Sequence, residues 1–200
     1  MPSINPHLWI VLAAALLLGG CGGIPNRDET GAGPESAAGP VNASVQRAYG
    51  EALGALRRGE TKQARRQFEA LAAEHPDLAG PPANLGIIQL QENDPAAAEK
   101  SFRQALQRNP ASAQAQNQLG IALRLQGRFR EAEQAYLAAL AIEPVYLLAH
   151  RNLGILYDLY LSKPDQALEQ YRLCQKLAAA PDSEIEGWIA DLERRAKGGK

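Results

Sequence analysis

Residues Asn117 to Pro144 read NQLGIALRLQGRFREAEQAYLAALAIEP. The stretch reads as two helices, each with one apolar face, joined by a short polar turn. Its small and aromatic residues return elsewhere at a fixed interval. Ala132 follows Ala64 and Ala98 at steps of 34 residues, Tyr136 follows Phe68 and Phe102, and Pro144 follows Pro76 and Pro110. Leu119-Gly120 lies midway between Leu85-Gly86 and Leu153-Gly154 at the same step. Four columns sharing one period identify an internal repeat. In a fourth copy Ala167 and Tyr171 arrive one residue late, which places an extra residue near Ser162-Lys163-Pro164.

The order Leu-Gly, Ala, aromatic, Ala or Leu, Pro at this period resembles the tetratricopeptide repeat (TPR), over about Val45 to Ala180. The first copy, YGEALGALRRGE, lacks the Leu-Gly pair but keeps Gly59, Ala64, Phe68, Leu71 and Pro76. The resemblance implies an all-α fold: a right-handed TPR superhelix of about four helix-turn-helix repeats plus a C-terminal capping helix. The repeats are expected at about 45–78, 79–112, 113–146 and 147–180, within a domain at 44–180. Glycine in the first helix and alanine in the second let helices approach closely, and Phe68, Phe102, Tyr136 and Tyr171 fill the space beside them. The prolines are expected to end one helix pair and help start the next. Cys174 falls at a small core position and is expected to be buried and inert.

An array of this kind needs a polar-faced end. Within 181–200, Asp182-Ser183-Glu184 can open a helix, and Ile185, Trp188, Ile189 and Leu192 follow at helical spacing. We expect a capping helix from Ser183 to Lys197 whose Trp188 stripe covers the fourth repeat. The same stripe can instead serve as a docking site.

The other end has a different composition. Leu8 to Leu18, LWIVLAAALLL, carries no charge and as a helix rises only about 16 Å, half a bilayer core. It has the size of a signal-peptide apolar region. Leu18-Gly19-Gly20-Cys21 then resembles the lipobox of bacterial lipoproteins. That resemblance implies a signal peptide over 1–20, cleavage before Cys21, and lipid on the Cys21 thiol and new amino terminus. The segment before the apolar run lacks the Lys or Arg usual in signal peptides, and an ordinary signal peptide or uncleaved anchor with unmodified Cys21 is the alternative. Gly22 to Ala43 is rich in Gly, Pro, Ala and Ser and is read with Cys21 as a flexible tether, 21–43, with a reach of about 25 Å. Gly22 rather than Asp after Cys21 favours, by analogy with enteric-type lipoproteins, the outer membrane facing the periplasm.

The balance of 21 basic and 22 acidic residues, net charge −1, offers no electrostatic footprint for nucleic acid. The two cysteines, Cys21 and Cys174, form no disulfide if Cys21 is acylated. His75 and His150 stand in no metal-ligand spacing. No phosphate-cradling loop, GxSxG or EF-hand pattern occurs. No cofactor or metal is expected, and the chain reads as a binding protein rather than an enzyme.

In TPR proteins the first helix of each pair lines a concave groove. In that register the polar groove positions are Asn84, Gln114, Asn117, Arg124, Arg151, Asn152 and Asp158. Amides can serve an extended peptide backbone, and Arg124 and Arg151 can take a carboxylate. Helix-capping, inter-repeat or solvated roles stay open for each. The lysine-rich clamp used for chaperone tails is not reproduced. The function expected is a membrane-anchored, periplasm-facing scaffold or assembly factor holding an envelope protein or peptide. That architecture is shared with pilotins of type IV pilus secretins and accessory proteins of envelope transport systems. The alternative is a lipoprotein that binds a small ligand or glycan in the groove beside an envelope enzyme, with Tyr157 and Tyr160 the nearest aromatics.

Overall fold

A computed structural model describes residues 42–198; Cys21, the apolar run and all but the end of the expected tether lie outside the described residues. Those described form nine helices and no strand: α1 (Ala43–Arg57), α2 (Thr61–Glu74), α3 (Gly80–Gln91), α4 (Pro95–Arg108), α5 (Ala113–Leu125), α6 (Phe129–Ile142), α7 (Leu147–Leu159), α8 (Pro164–Leu177) and α9 (Ser183–Gly198). They pack as hairpins, α1 on α2, α3 on α4, α5 on α6 and α7 on α8, stacked in chain order with α9 against α8. This is the all-α TPR superhelix. α1 begins at Ala43, where Asn42 Oδ1 accepts the backbone N–H of Ser44 at 2.8 Å and of Val45 at 3.1 Å.

The repeat columns meet in space. A Cβ built on Gly86 would lie 2.6 Å from the Phe102 ring, and one on Gly120 or Gly154 would lie 2.5 Å from Tyr136 or Tyr171. Glycine is required there because the second-helix aromatic ring presses against the first helix's backbone. The first copy has Ala52, fully buried, in that place, in one apolar cluster with Phe68. Ala64, Ala98, Ala132 and Ala167 are all 0 % exposed. Cys174 is buried, its thiol 3.4 Å from the Leu147 carbonyl oxygen.

The turn inside each hairpin reverses on one residue in the left-handed region: Gly59 (φ 75°), Asn93 (61°), Gly127 (74°) and Ser162 (53°). A backbone bond just after it spans five residues in three copies, Glu60 N–H to Ala55 O, Asp94 N–H to Gln89 O and Arg128 N–H to Leu123 O. In the fourth it spans six, Lys163 N–H to Tyr157 O at 2.9 Å. The extra residue therefore enters at Tyr160-Leu161, just before Ser162 rather than after it.

Pro76, Pro110 and Pro144 do not start helices. Each follows a C-terminal cap, His75, Asn109 or Glu143, held near φ −130° with ψ 72–89°. Proline excludes its predecessor from the helical region, so these residues stop α2, α4 and α6 and open the turn to the next pair. The prolines in first turns are Pro81, Pro82, Pro95 and Pro164.

α9 closes the stack. Ile185 and Leu192 are buried, Trp188 lies 5.1 Å from the Tyr171 ring, and Asp182 caps the helix through Glu184 N–H at 3.0 Å. Trp188 stands 34 residues after Gly154, and Ile189 stands 35 after it. Whichever step is counted, a bulky side chain replaces the glycine, so no further aromatic can seat there.

Candidate functional site

The first helices α3, α5 and α7 bury most of their surface but leave one stripe open. On α5 it is Gln114, Gln118, Ile121 and Leu125, and on α7 it is Leu148, Asn152, Ile155 and Leu159. Steps of four, three and four keep each set on one helix face. Ile87, Ile121 and Ile155 form a half-buried ladder at 34-residue steps, and Leu125 and Leu159 stand 43 % and 68 % exposed beside it. Successive first helices touch, α3 with α5 and α5 with α7, so the stripes are neighbours.

The amides chosen from the sequence divide between this face and the seam. Asn84 and Asn117 are both 0 % exposed. The Asn84 Nδ2 donates to the Tyr49 hydroxyl and, at 2.9 Å, to the Gly80 carbonyl. Asn152 Nδ2 donates to Asn117 Oδ1 at 2.9 Å. Tyr49 and Asn117 occupy one repeat column, Asn84 and Asn152 another. The two bonds are thus the same rung, tying one first helix to the next. At the intervening junction the column holds Ala83, which has no side-chain hydrogen-bonding group. Gln114 alone of the early choices on α5 sits in the open stripe.

Arg151 and Asp158 face the capping helix. Arg151 pairs with Glu184 and lies over the Trp188 ring at 5.2 Å. Asp158 Oδ1 accepts from Arg195 Nη2 at 2.6 Å, its side chain only 9 % exposed. These pairs run along α7 from one end to the other and hold α9 parallel to it. Their place is structural, at the last seam.

Arg124 differs. It lies one residue before the end of α5, half-buried, with its Nη1 3.4 Å from the Tyr160 hydroxyl and its guanidinium 5.7 Å from that ring's centre. No carboxylate among the described residues pairs with it. Its Nε and the hydroxyl of Tyr136, a residue 0 % exposed, are both buried; the guanidinium and the phenol interact with each other, but neither of these atoms has a well-formed hydrogen bond. Burial pushes the Tyr136 phenol up to about 12 against the opposing pull of Arg124. Tyr160 is held from below by Phe129, ring centres 4.8 Å apart.

Neither His75 nor His150 gathers ligands. His150 is buried, with Nδ1 2.8 Å from Gln170 Oε1 and Nε2 3.0 Å from the Pro144 carbonyl oxygen. Among the described residues no group of His, Cys, Asp and Glu is arranged to hold a metal, and no helix is long and apolar enough to cross a membrane. An open hollow of about 460 Å³ lies at the α1–α2 turn, lined by Gly59, Glu60, Thr61, Lys62, Gln63 and Arg66. It is a shallow dent confined to that turn. Of the aromatics considered for sugar stacking, Tyr157 is buried, with the Lys163 ammonium 5.0 Å over its ring, and only Tyr160 reaches the surface.

The residues missed from the sequence are the apolar ones: Ile87, Ile121, Ile155, Leu125 and Leu159. Their signal was available, since isoleucine follows the column glycine in three copies.

Residues 84–146 match the tetratricopeptide repeat family. The type IV pilus assembly protein PilF of Pseudomonas aeruginosa is 32 % identical over 127 residues, covering 62 % of this chain and 50 % of the relative. The chain thus spans about half the length of that curated relative. The solved structure of Pseudomonas aeruginosa PilF superposes with a TM-score of 0.70 at 27 % identity, over 78 % of this chain and 70 % of that one. MamA from Desulfovibrio magneticus RS-1 gives 0.68 at 20 % identity, over 79 % and 88 %. TTC0263, a thermophilic TPR protein of Thermus thermophilus, gives 0.63 at 20 %, over 76 % and 82 %. The last two likenesses concern the fold alone.

Proposed function

For a chain built of tetratricopeptide repeats, we propose a non-catalytic role as a protein-interaction scaffold for an envelope assembly of the pilus or secretin type. The observation that carries it is the periodic open stripe on the first helices, where Ile121, Ile155, Leu125 and Leu159 remain partly exposed while the opposite faces of the same helices are buried. Because successive first helices touch, they belong on the tighter, concave side of the stack. A partner segment laid there meets apolar contacts in the middle and amides of Gln114, Gln118 and Asn152 along the edge. This is how a helix or extended peptide is commonly gripped. The likeness to a type IV pilus assembly protein supports the kind of complex. Lipid on Cys21 would anchor the scaffold to the outer membrane on its periplasmic side, since two or more acyl chains suffice for stable attachment.

A photo-crosslinking residue at Ile121 or Ile155, in the full chain in its native host, tests both halves. Adducts with a pilus-assembly or secretin component are expected from these positions and not from exposed Arg130 on α6. Adducts from Arg130 alone would place the partner on the other side. In the same cells Cys21→Ser should abolish labelling by a clickable fatty acid and release the protein from the membrane fraction. Equal labelling of the two proteins would end the anchoring half.

A further inference from the structure

An arginine charge drawn partly out of water without a counter-charge is costly, and half-buried Arg124 has no carboxylate partner among the described residues. The corresponding residues in the neighbouring copies need no ligand: Leu90 is apolar, and Asp158 is satisfied by Arg195. What surrounds Arg124 is neutral, the hydroxyl and ring of Tyr160 on one side and the buried hydroxyl of Tyr136 on the other. The arrangement depends on the irregular fourth turn. The extra residue at Tyr160-Leu161 departs from the spacing of the other three copies, and it is Tyr160 that stacks on Phe129 and lies beneath the guanidinium. No other turn of the array carries an aromatic residue at this point, where Arg57-Arg58, Gln91-Glu92 and Leu125-Gln126 stand.

Resting on the first-helix face as the partner surface, we propose that Arg124, with the exposed Tyr160 beside it and Tyr136 behind it, is the receptor for a carboxylate of the bound partner, at the seam of the third and fourth repeats. The guanidinium offers donors to a planar anion, and a tyrosine hydroxyl can add another. Leu125 and Leu159 flank the position, 43 % and 68 % exposed, so the acid is presented between apolar residues. Its source is an acidic side chain or a chain terminus of the partner.

The test uses the full chain in detergent micelles, 15N-labelled on arginine, isoleucine and leucine. Three probes are titrated to millimolar concentration: acetyl-Leu-Leu-Glu-Leu-Leu-amide, its Gln isostere, and acetyl-Leu-Leu-Leu with a free carboxyl terminus. We expect a saturable shift of the Arg124 Nε–H resonance, with the Glu peptide or the free terminus binding at least tenfold more tightly than the Gln peptide. Which of the two acids wins tells side chain from terminus. Arg124→Gln should erase the preference and leave the amides of Ile121 and Ile155 responding to all three at the weaker level, with melting unchanged. If neither the Glu peptide nor the free-terminus peptide binds more tightly than the Gln peptide while Ile121 and Ile155 respond to all three, the carboxylate receptor is overturned and the groove stands. No saturable shift on α5 or α7 with any probe overturns both.

Discussion

Replacing Gly120 by alanine adds one methyl group where the structure has no room for it. The new Cβ would lie 2.5, 2.6 and 2.9 Å from three atoms of the Tyr136 ring, against an ordinary carbon contact of about 3.5–4.0 Å. The ring must retreat by about 1 Å, yet Tyr136 is fully buried and cannot swing into solvent. Overpacking of this kind costs about 1–3 kcal/mol, and the better helix propensity of alanine returns up to about 1 kcal/mol. The net expectation is a loss of about 1–2 kcal/mol, a fall in Tm of about 2–8 °C for a domain of this size. Gly50→Ala is the matched control. It lies mid-helix in α1 with nothing within 4 Å of its added Cβ, so the same chemical change should stabilise by about 0.5–1 kcal/mol. Urea unfolding followed by circular dichroism at 222 nm reads both. In a Tyr136→Leu background the Gly120→Ala penalty should shrink, since the clash is with the ring. A Gly120→Ala protein stabilised like Gly50→Ala, or a penalty undiminished in the Tyr136→Leu background, would refute the close contact and with it the repeat register.

Arg151→Ala combined with Asp158→Ala removes the pairs that hold α9 to α7. Ion pairs with one partner open to solvent, as Glu184 and Arg195 are, contribute about 1 kcal/mol each, and amide exchange across Ile185–Leu192 should quicken about tenfold, with α1–α4 unchanged. Acid should weaken the junction of the second and third repeats. Burial raises the Glu99 carboxyl, but hydrogen bonds from Gln126 and Arg103 and the charges of Arg128 and Arg103 outweigh it and lower it below the ordinary 4.5. A carboxylate lowered in the folded state stabilises fully above its unfolded value and loses that contribution as pH falls through the folded one. Melting temperature should therefore drop on acidification from about pH 5, and Glu99→Gln should flatten that slope while lowering the neutral-pH value; an unchanged slope would mean that Glu99 is not held by its neighbours.

The fold was legible because its closest contacts are made by residue types with few substitutes. A glycine under an aromatic ring tolerates nothing larger, so Gly86, Gly120 and Gly154 keep step with Phe102, Tyr136 and Tyr171 and declare the period. The prolines kept step too, but proline is compatible with a first turn and with the residue after a cap. Only the extended backbone of His75, Asn109 and Glu143 decides between them. The extra residue of the fourth copy could be placed only loosely, because slip in the columns tells that a residue was added between Gly154 and Ala167, whereas the six-residue backbone bond tells where.

Polarity was the poorer guide to the face that meets a partner. An asparagine on a first helix can point into a groove or across to the next helix, and a difference of one position, about 100° of turn, decides. Asn117 and Gln118 show the difference: the first is sealed against Asn152 at the seam, the second is in the open stripe. A buried amide needs a partner, and the next first helix supplies it where the column holds Tyr49 or Asn117, but not where it holds Ala83. The same logic separates the arginines. Arg151 found its counter-charge in α9, a helix that exists only at the end of the array, and so became part of the cap. Arg124, in the third repeat and in the column of Asp158 rather than of Arg151, has tyrosines for neighbours instead of a carboxylate, and its position next to exposed Leu125 leaves it the arginine best placed to read the charge of whatever lies along the stripe.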